Sequence, residues 1–137
     1  MFNKPIGGLW ASPYTANEKY KSSWHRWLEY EMPHWMREYG VVFTLKKESK
    51  IFTIDSSEDL KYLMDNYKCS RSHLKHFSIL DFEKIKKDYD GIFLTNKGQW
   101  ETRLSLEYNL YGWDVECLLL LNFQCIEQQE KISFFSK

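Results

Sequence analysis

The chain has no charge of one sign to spare: its 19 Lys and Arg are balanced by 19 Asp and Glu over 137 residues. Without a global field it does not recruit nucleic acid or an anionic membrane by electrostatics alone, so no nucleic-acid partner is expected. Cysteine is scarce. Cys69, Cys117 and Cys125 are odd in number and show no CxxC spacing, which argues against a disulfide framework and favours a reducing compartment. The longest apolar run, Leu118 to Leu121, is far short of the roughly 20 residues a bilayer span needs. Residues 1 to 8 lack the apolar stretch of a signal peptide, so a cytoplasmic location and no membrane partner are expected. Glycine-rich phosphate loops, nucleophile elbows and HExxH pairs are missing too, which removes the familiar nucleotide-triphosphatase and hydrolase readings. There is no internal repeat, low-complexity tract or Pro/Ser-rich linker, and the length suits a single domain over residues 1–137.

Aromatic residues, by contrast, are abundant: six Trp, nine Tyr and nine Phe make up 18% of the chain. Large rings fill a core, and they also build clefts and partner surfaces. Thr15 and Glu18 fit a capping box ahead of Tyr20, Trp24, Trp27 and Leu28 at helical spacing, which predicts a helix from about Ala16 that Pro33 breaks and Gly40 ends. Val41–Leu45 and Lys50–Ile54 read as short strands that either form a hairpin or pair elsewhere. A helix capped by Ser56 or Ser57 carries Leu60, Leu63, Met64 and Tyr67 on one face, and a shorter one runs from Asp81 to Tyr89. Ile92–Leu94 reads as a buried strand, residues 95–112 as a long polar and aromatic loop, and "WDVECLLLLNF" at 113–123 as the strongest strand. The fold class expected is α+β: one long N-terminal helix and two shorter helices against a small, mainly antiparallel sheet.

Four places hold candidate chemistry. In "GGLWASPY" the paired glycines permit a tight turn or close backbone approach, and the strand behind them either plugs the core with Trp10 or walls a cleft with Tyr14 or Trp24 as the facing ring. Glu116 stands next to "CLLLL". A carboxylate there is costly to bury alone, so it is paired, exposed at the strand end, or held with a raised pKa. Asp114 shares its face at two-residue spacing and would form a coupled pair or bind a cation with it, although no further ligand pattern supports a cation and no metal is expected. Cys69, His73 and His76 form C-x3-H-x2-H, which offers three zinc ligands on a helix but no fourth. Lys61, Lys68, Arg71, Lys75, Lys84, Lys86 and Lys87 alternate with rings, a pattern that can hold single strands, but interleaved Asp and Glu make it read as a solvated, salt-bridged face.

The run "GGLWASPYTANEKYKSSW" resembles the second strand and first helix of the diphtheria-toxin-like mono-ADP-ribosyltransferases, over about thirty residues. Those proteins place a Gly-aromatic-Ser/Thr strand before a helix bearing a second aromatic, and the two rings sandwich nicotinamide. The resemblance implies NAD as ligand, Trp10, Ser12, Tyr20 and Trp24 as its contacts, and Glu116 in "GWDVE" as the residue that stabilises an oxocarbenium-like transition state. Arg103 is the candidate phosphate contact. The family's earlier strand, carrying His or Arg, has no counterpart in the six residues before Gly7, and His25 and His34 cannot take its place. An alternative of another class is a small protein-binding inhibitor module, of a kind carried by phages or mobile elements, that occludes a partner protein. The Lys/Asn/Tyr-rich composition and surplus of Trp and Tyr suit it, since aromatic anchors dominate interface energetics. Aromatics exposed together on a convex face would favour that module, and aromatics lining a concave pocket with Glu116 would favour the transferase.

Overall fold

The structure, a computed structural model, describes residues 3–69, 79–103, 110 and 112–134. A four-stranded sheet is built from β1 (Leu9–Ala11), β3 (Ile51–Ile54), β4 (Gly91–Leu94) and β5 (Cys117–Leu120) in the order β1-β5-β4-β3. Only the β3–β4 pair is parallel; β1–β5 and β4–β5 are antiparallel. A second, two-stranded ribbon pairs β2 (Tyr39–Leu45) with β6 (Ile126–Ser133) antiparallel, with an irregularity between Thr44 and Leu45. The two sheets meet at a corner where β2 turns into β3 and a 3-10 turn at Phe123–Cys125 leads β5 into β6; Lys46 N–H donates to the Cys125 carbonyl there at 2.8 Å.

One face of the four-stranded sheet is roofed by helices. In α2 (Ser57–Tyr67) the Ser56 hydroxyl accepts the Asp59 amide, and Glu58 and Asp59 sit favourably in the positive first turn. Its buried stripe is Leu60, Leu63, Met64 and Tyr67, the residues that the helical spacing singles out. In α3 (Phe82–Asp88) Asp81 caps the start and Ile85 is buried. Against these pack Ile54, Ile92, Leu94, Leu119 and Leu121 of the sheet region, with Trp113 nearly sealed and its indole N–H donating to the Asn3 carbonyl at 2.8 Å.

The coarse expectation of an α+β chain holds, but the helices differ from those expected. Among the described residues there are four α-helices, and the longest is α2 with 11 residues, not the N-terminal α1 (Ser23–Glu31) with 9. Residues 15–22 close on themselves instead of starting a helix. The Thr15 amide donates to the Lys21 carbonyl, and its hydroxyl donates to the Tyr20 carbonyl instead of accepting from a helical amide. Ser22 is the actual cap, accepting from His25 N–H. The expected loop at 95–112 begins with α4 (Asn96–Thr102), capped by Thr95. A glycine inside a helix normally weakens it; here Gly98 is required, because a Cβ would collide with the Ile54 carbonyl. The predicted 113–123 strand is paired only at Cys117–Leu120, since Trp113 turns into the core. The two strands of the open hairpin question pair elsewhere, β2 with β6 and β3 with β4.

Candidate functional site

The other face of the four-stranded sheet has no helical roof. Leu118, Phe93 and Ile51 floor a cleft of 810 Å³, which the ribbon and α1 wall on two sides. From α1 come Trp24, His25 and Leu28, and from the 3-10 turn Pro33–Trp35 comes Trp35. A volume of this size is in the range of a ligand or peptide site. Among the described residues Lys21 and Arg37 are its charged lining residues and no Asp or Glu lines it, so the cleft is apolar with a cationic tendency. Both cations lean on backbone carbonyls: Lys21 on Ala16 and Glu18, Arg37 on Trp35 and Met36.

A second hollow of 440 Å³ lies on the other side of α1, lined by Arg26, Trp27, Tyr30, Trp100, Arg103 and Asp114 among others. The stacked pair Trp24–Trp27, with centroids 4.8 Å apart and planes 10° from parallel, forms the ridge between the two. α1 therefore presents one tryptophan to each depression.

Of the residues singled out from the sequence, Ser12 and Glu116 are brought together. β1 lies against β5 in the register Ala11↔Leu118, and beyond the pair the Ser12 hydroxyl donates to the Glu116 carbonyl at 2.8 Å. The Glu116 carboxylate points elsewhere: its Oε2 accepts the Asn96 amide at 3.1 Å at the start of α4. Glu116 lines neither depression, although Asn96, Asp114 and Val115 border the second. Asp114 contributes its carbonyl to Gln99, and no group of three metal-ligating side chains occurs among the described residues.

Trp10 and Trp24 both line the cleft, but each ring has another partner. Trp10 stands opposite Leu119, a core residue, and directly opposite residues of an antiparallel pair share a face. Its ring accordingly meets Trp113 edge-on at 4.8 Å on the helix-covered side, with Lys4 over it at 5.3 Å. Trp10 nevertheless stays 38% exposed and lines the cleft together with Leu9 and Ala11, so it bridges the edge of the core and the cleft. Tyr14 and Trp24 also line the cleft and stay 42% and 40% exposed. Tyr20 lies behind α1, donating to the Tyr30 hydroxyl at 3.2 Å, and that bond first, then burial and Glu29, pushes its pKa up to about 12. Arg103 ends α4 beside the second hollow. His73 and His76 of the zinc pattern lie outside the described residues, as do Arg71 and Lys75 of the basic segment; Lys61 pairs with Asp65 at 3.2 Å, in keeping with a salt-bridged face.

His25 is the residue that sequence reasoning passed over. It is buried at the base of the cleft, packed on Phe134 at 4.8 Å and Tyr20 at 5.7 Å. Its Nδ1 accepts the Lys21 amide at 3.0 Å, which places the proton of the neutral ring on Nε2. Burial lowers its pKa from the usual 6.5, Glu29 opposes that and Lys21 reinforces it. Only its place on the cleft side of α1, at one-residue spacing from Trp24, hinted at this position.

No protein-family model, no curated protein and no solved structure matches this chain. Fold and site together define an α+β domain with a roofed core on one side of its main sheet and an aromatic cleft on the other.

Proposed function

We propose that the chain is an NAD-binding domain similar to the ADP-ribosyltransferases. The observation that carries this reading is the juxtaposition of β1 with β5, which ties Ser12 to the Glu116 backbone at 2.8 Å. Positions 104 residues apart in sequence thus meet, and their meeting supports a site shared by Ser12 and Glu116. Nicotinamide would rest on the Trp24–Trp27 stack, with Ser12 toward the ribose and Arg26 and Arg103 of the second hollow offering cations for the pyrophosphate. Glu116 keeps one carboxylate oxygen on the Asn96 amide, which orients it, and has Oε1 for a ribose hydroxyl and for the positive charge that develops as the bond from ribose C1 to nicotinamide breaks. The bonding pair leaves with nicotinamide, and water or an acceptor side chain adds to C1.

Titration with NAD, following Trp fluorescence and nicotinamide release in one sample, tests this. Saturable quenching and release that Glu116→Gln abolishes, with thermal stability nearly unchanged, is the expected result. Release unaltered in Glu116→Gln, or no quenching at millimolar NAD, overturns it.

A protein-binding module that occludes its partner is the second reading. It is favoured by Tyr14, Trp24, Trp35 and Tyr39, which are all exposed around one apolar cleft that no carboxylate lines among the described residues.

A further inference from the structure

Strand edges, more than faces, set the character of the large cleft. A sheet face offers every second residue to a cavity, because side chains alternate. β6 reaches it at only three positions, Ile126, Gln129 and Ile132. β1 and the residues that follow it line the cleft consecutively over 9–14, and β2 does so over 39–43, which is how a strand meets a cavity when its backbone edge borders it. Both strands have a partner on one side only among the described residues: β1 stands at the end of its sheet and β2 is half of a two-stranded ribbon.

The sequence of β2 is unusual for an edge. Natural sheets blunt a free edge with charge, proline or extreme shortness, since unpaired amides and carbonyls otherwise template further strands. β2 is Tyr-Gly-Val-Val-Phe-Thr-Leu, seven residues with no charge and no proline, and Val41 is 60% exposed. Its partner β6 carries Glu127, Glu130 and Lys131, so the charge that protects the ribbon sits on the other strand. The unprotected edge and the apolar cavity coincide.

We infer that the cleft receives an extended segment of another polypeptide, which adds as a third strand along the free edge of β2 and turns alternate apolar side chains toward Leu9, Phe93 and Leu118. Main-chain hydrogen bonds supply affinity in this mode and the cavity reads every second side chain. Seven residues of β2 offer about 23 Å of edge, enough for a heptapeptide. The cleft's charged groups choose the partner. Lys21 and Arg37 are both cations and His25 is held neutral by burial, so the incoming segment carries carboxylates beside its apolar positions. A second copy of this chain would bring the same two cations to the same place, which disfavours self-pairing. The inference does not rest on nucleotide binding; it specifies the partner class of the protein-binding reading.

The probe is a capped heptapeptide with glutamate at both ends, valine at positions two, four and six and threonine between. Its companions are the same peptide N-methylated at alternate backbone amides, a version with lysine ends, and decanoate. Trp fluorescence reports binding, and amide hydrogen exchange reports β2. Saturable binding that slows exchange of the β2 amides at least tenfold, at least tenfold weaker binding after N-methylation, and weaker binding with lysine ends are expected. Val41→Lys, a solvent-exposed edge position, should abolish binding with an unchanged circular dichroism spectrum and melting temperature. Equal affinity of the N-methylated peptide, or decanoate binding that matches the peptide without β2 protection, overturns strand addition. A concentration-dependent dimer in sedimentation that the peptide does not dissociate assigns the edge to a second copy and overturns it as well, as does absence of any binding. Glu116→Gln should bind the peptide like the parent protein, so the nucleotide reading and this one fail separately.

Discussion

The two faces of the four-stranded sheet are finished differently. Under α2 and α3 the side chains of Leu60, Leu63, Ile85, Ile92, Leu94 and Leu119 reach zero exposure. On the opposite face Leu118, Phe93 and Ile51 are only half covered and look into the 810 Å³ cleft. The helices over the first face were built for it: each is capped by a side chain and turns one apolar stripe inward. Beside the second, as a wall of its cleft, stands α1, whose single buried residue is a histidine and whose tryptophans stack on each other. Burial of large apolar side chains contributes most of a small domain's stability, so the first face holds the fold and the second remains available for ligand or partner.

Substitutions can break that contrast, and the largest effect belongs to the covered face. Leu63→Ala should cost about 2–5 kcal/mol in urea unfolding, whereas Leu28→Ala in the cleft wall should cost about 1 kcal/mol or less, because a half-exposed side chain leaves little cavity. Similar losses for the two would show the cleft side to be as structural as the core. Next comes Gly98→Ala, expected to cost about 1–3 kcal/mol by pushing α4 off the Ile54 carbonyl. By comparison Gly7→Ala meets no neighbouring atom, and its penalty is confined to the strain of φ +86°.

A smaller effect concerns His25, buried on the open side of the sheet. Its pKa is lowered in the folded state, so the unfolded chain takes up the proton first as pH falls. Stability is therefore intact above about 6.5 and declines as pH drops below it toward the folded-state pKa. Melting temperatures measured between pH 7.5 and 5 should fall on acidification, and His25→Phe should flatten part of that slope. Least perturbing is thiol chemistry. Burial pushes the Cys117 thiol up to about 12 and raises Cys125 as well, so in the native protein Cys69, half-exposed, should react first with a thiol reagent and the other two only after denaturation.

The elements legible from the sequence are those whose signals are local. α2 and α3 carry a capping side chain and a helical stripe within a dozen residues, and both form where these signals place them. β4 forms over the Ile92–Leu94 run expected to be a buried strand, with Ile92 and Leu94 fully buried. Misreadings arise where a local signal has a competing local use or needs a distant partner. Thr15 and Glu18 match a capping box, yet the Thr15 hydroxyl is drawn to the Tyr20 carbonyl. α4 looks like a loop because Gly98 weakens it in isolation; only the proximity of β3 makes that glycine necessary. The candidate site divides the same way. The sequence singles out Ser12 and Glu116 separately, but their meeting depends on β1 lying against β5, and the direction of the Trp10 ring on its standing opposite Leu119 and not Leu118, a one-residue choice of register.

By itself, then, the sequence determined an α+β chain with aromatic residues in excess, two amphipathic helices and a hydrophobic central strand, because period and capping act over a few residues. Tertiary structure alone decided that β2 pairs with β6 across more than eighty residues, that the Trp10 ring meets Trp113 while Trp24 stacks on Trp27, and that Glu116 rests on the start of α4. Those outcomes depend on which strands meet and in which register. That choice is settled by burying one face of a sheet against helices from elsewhere in the chain, and no local window of residues contains it.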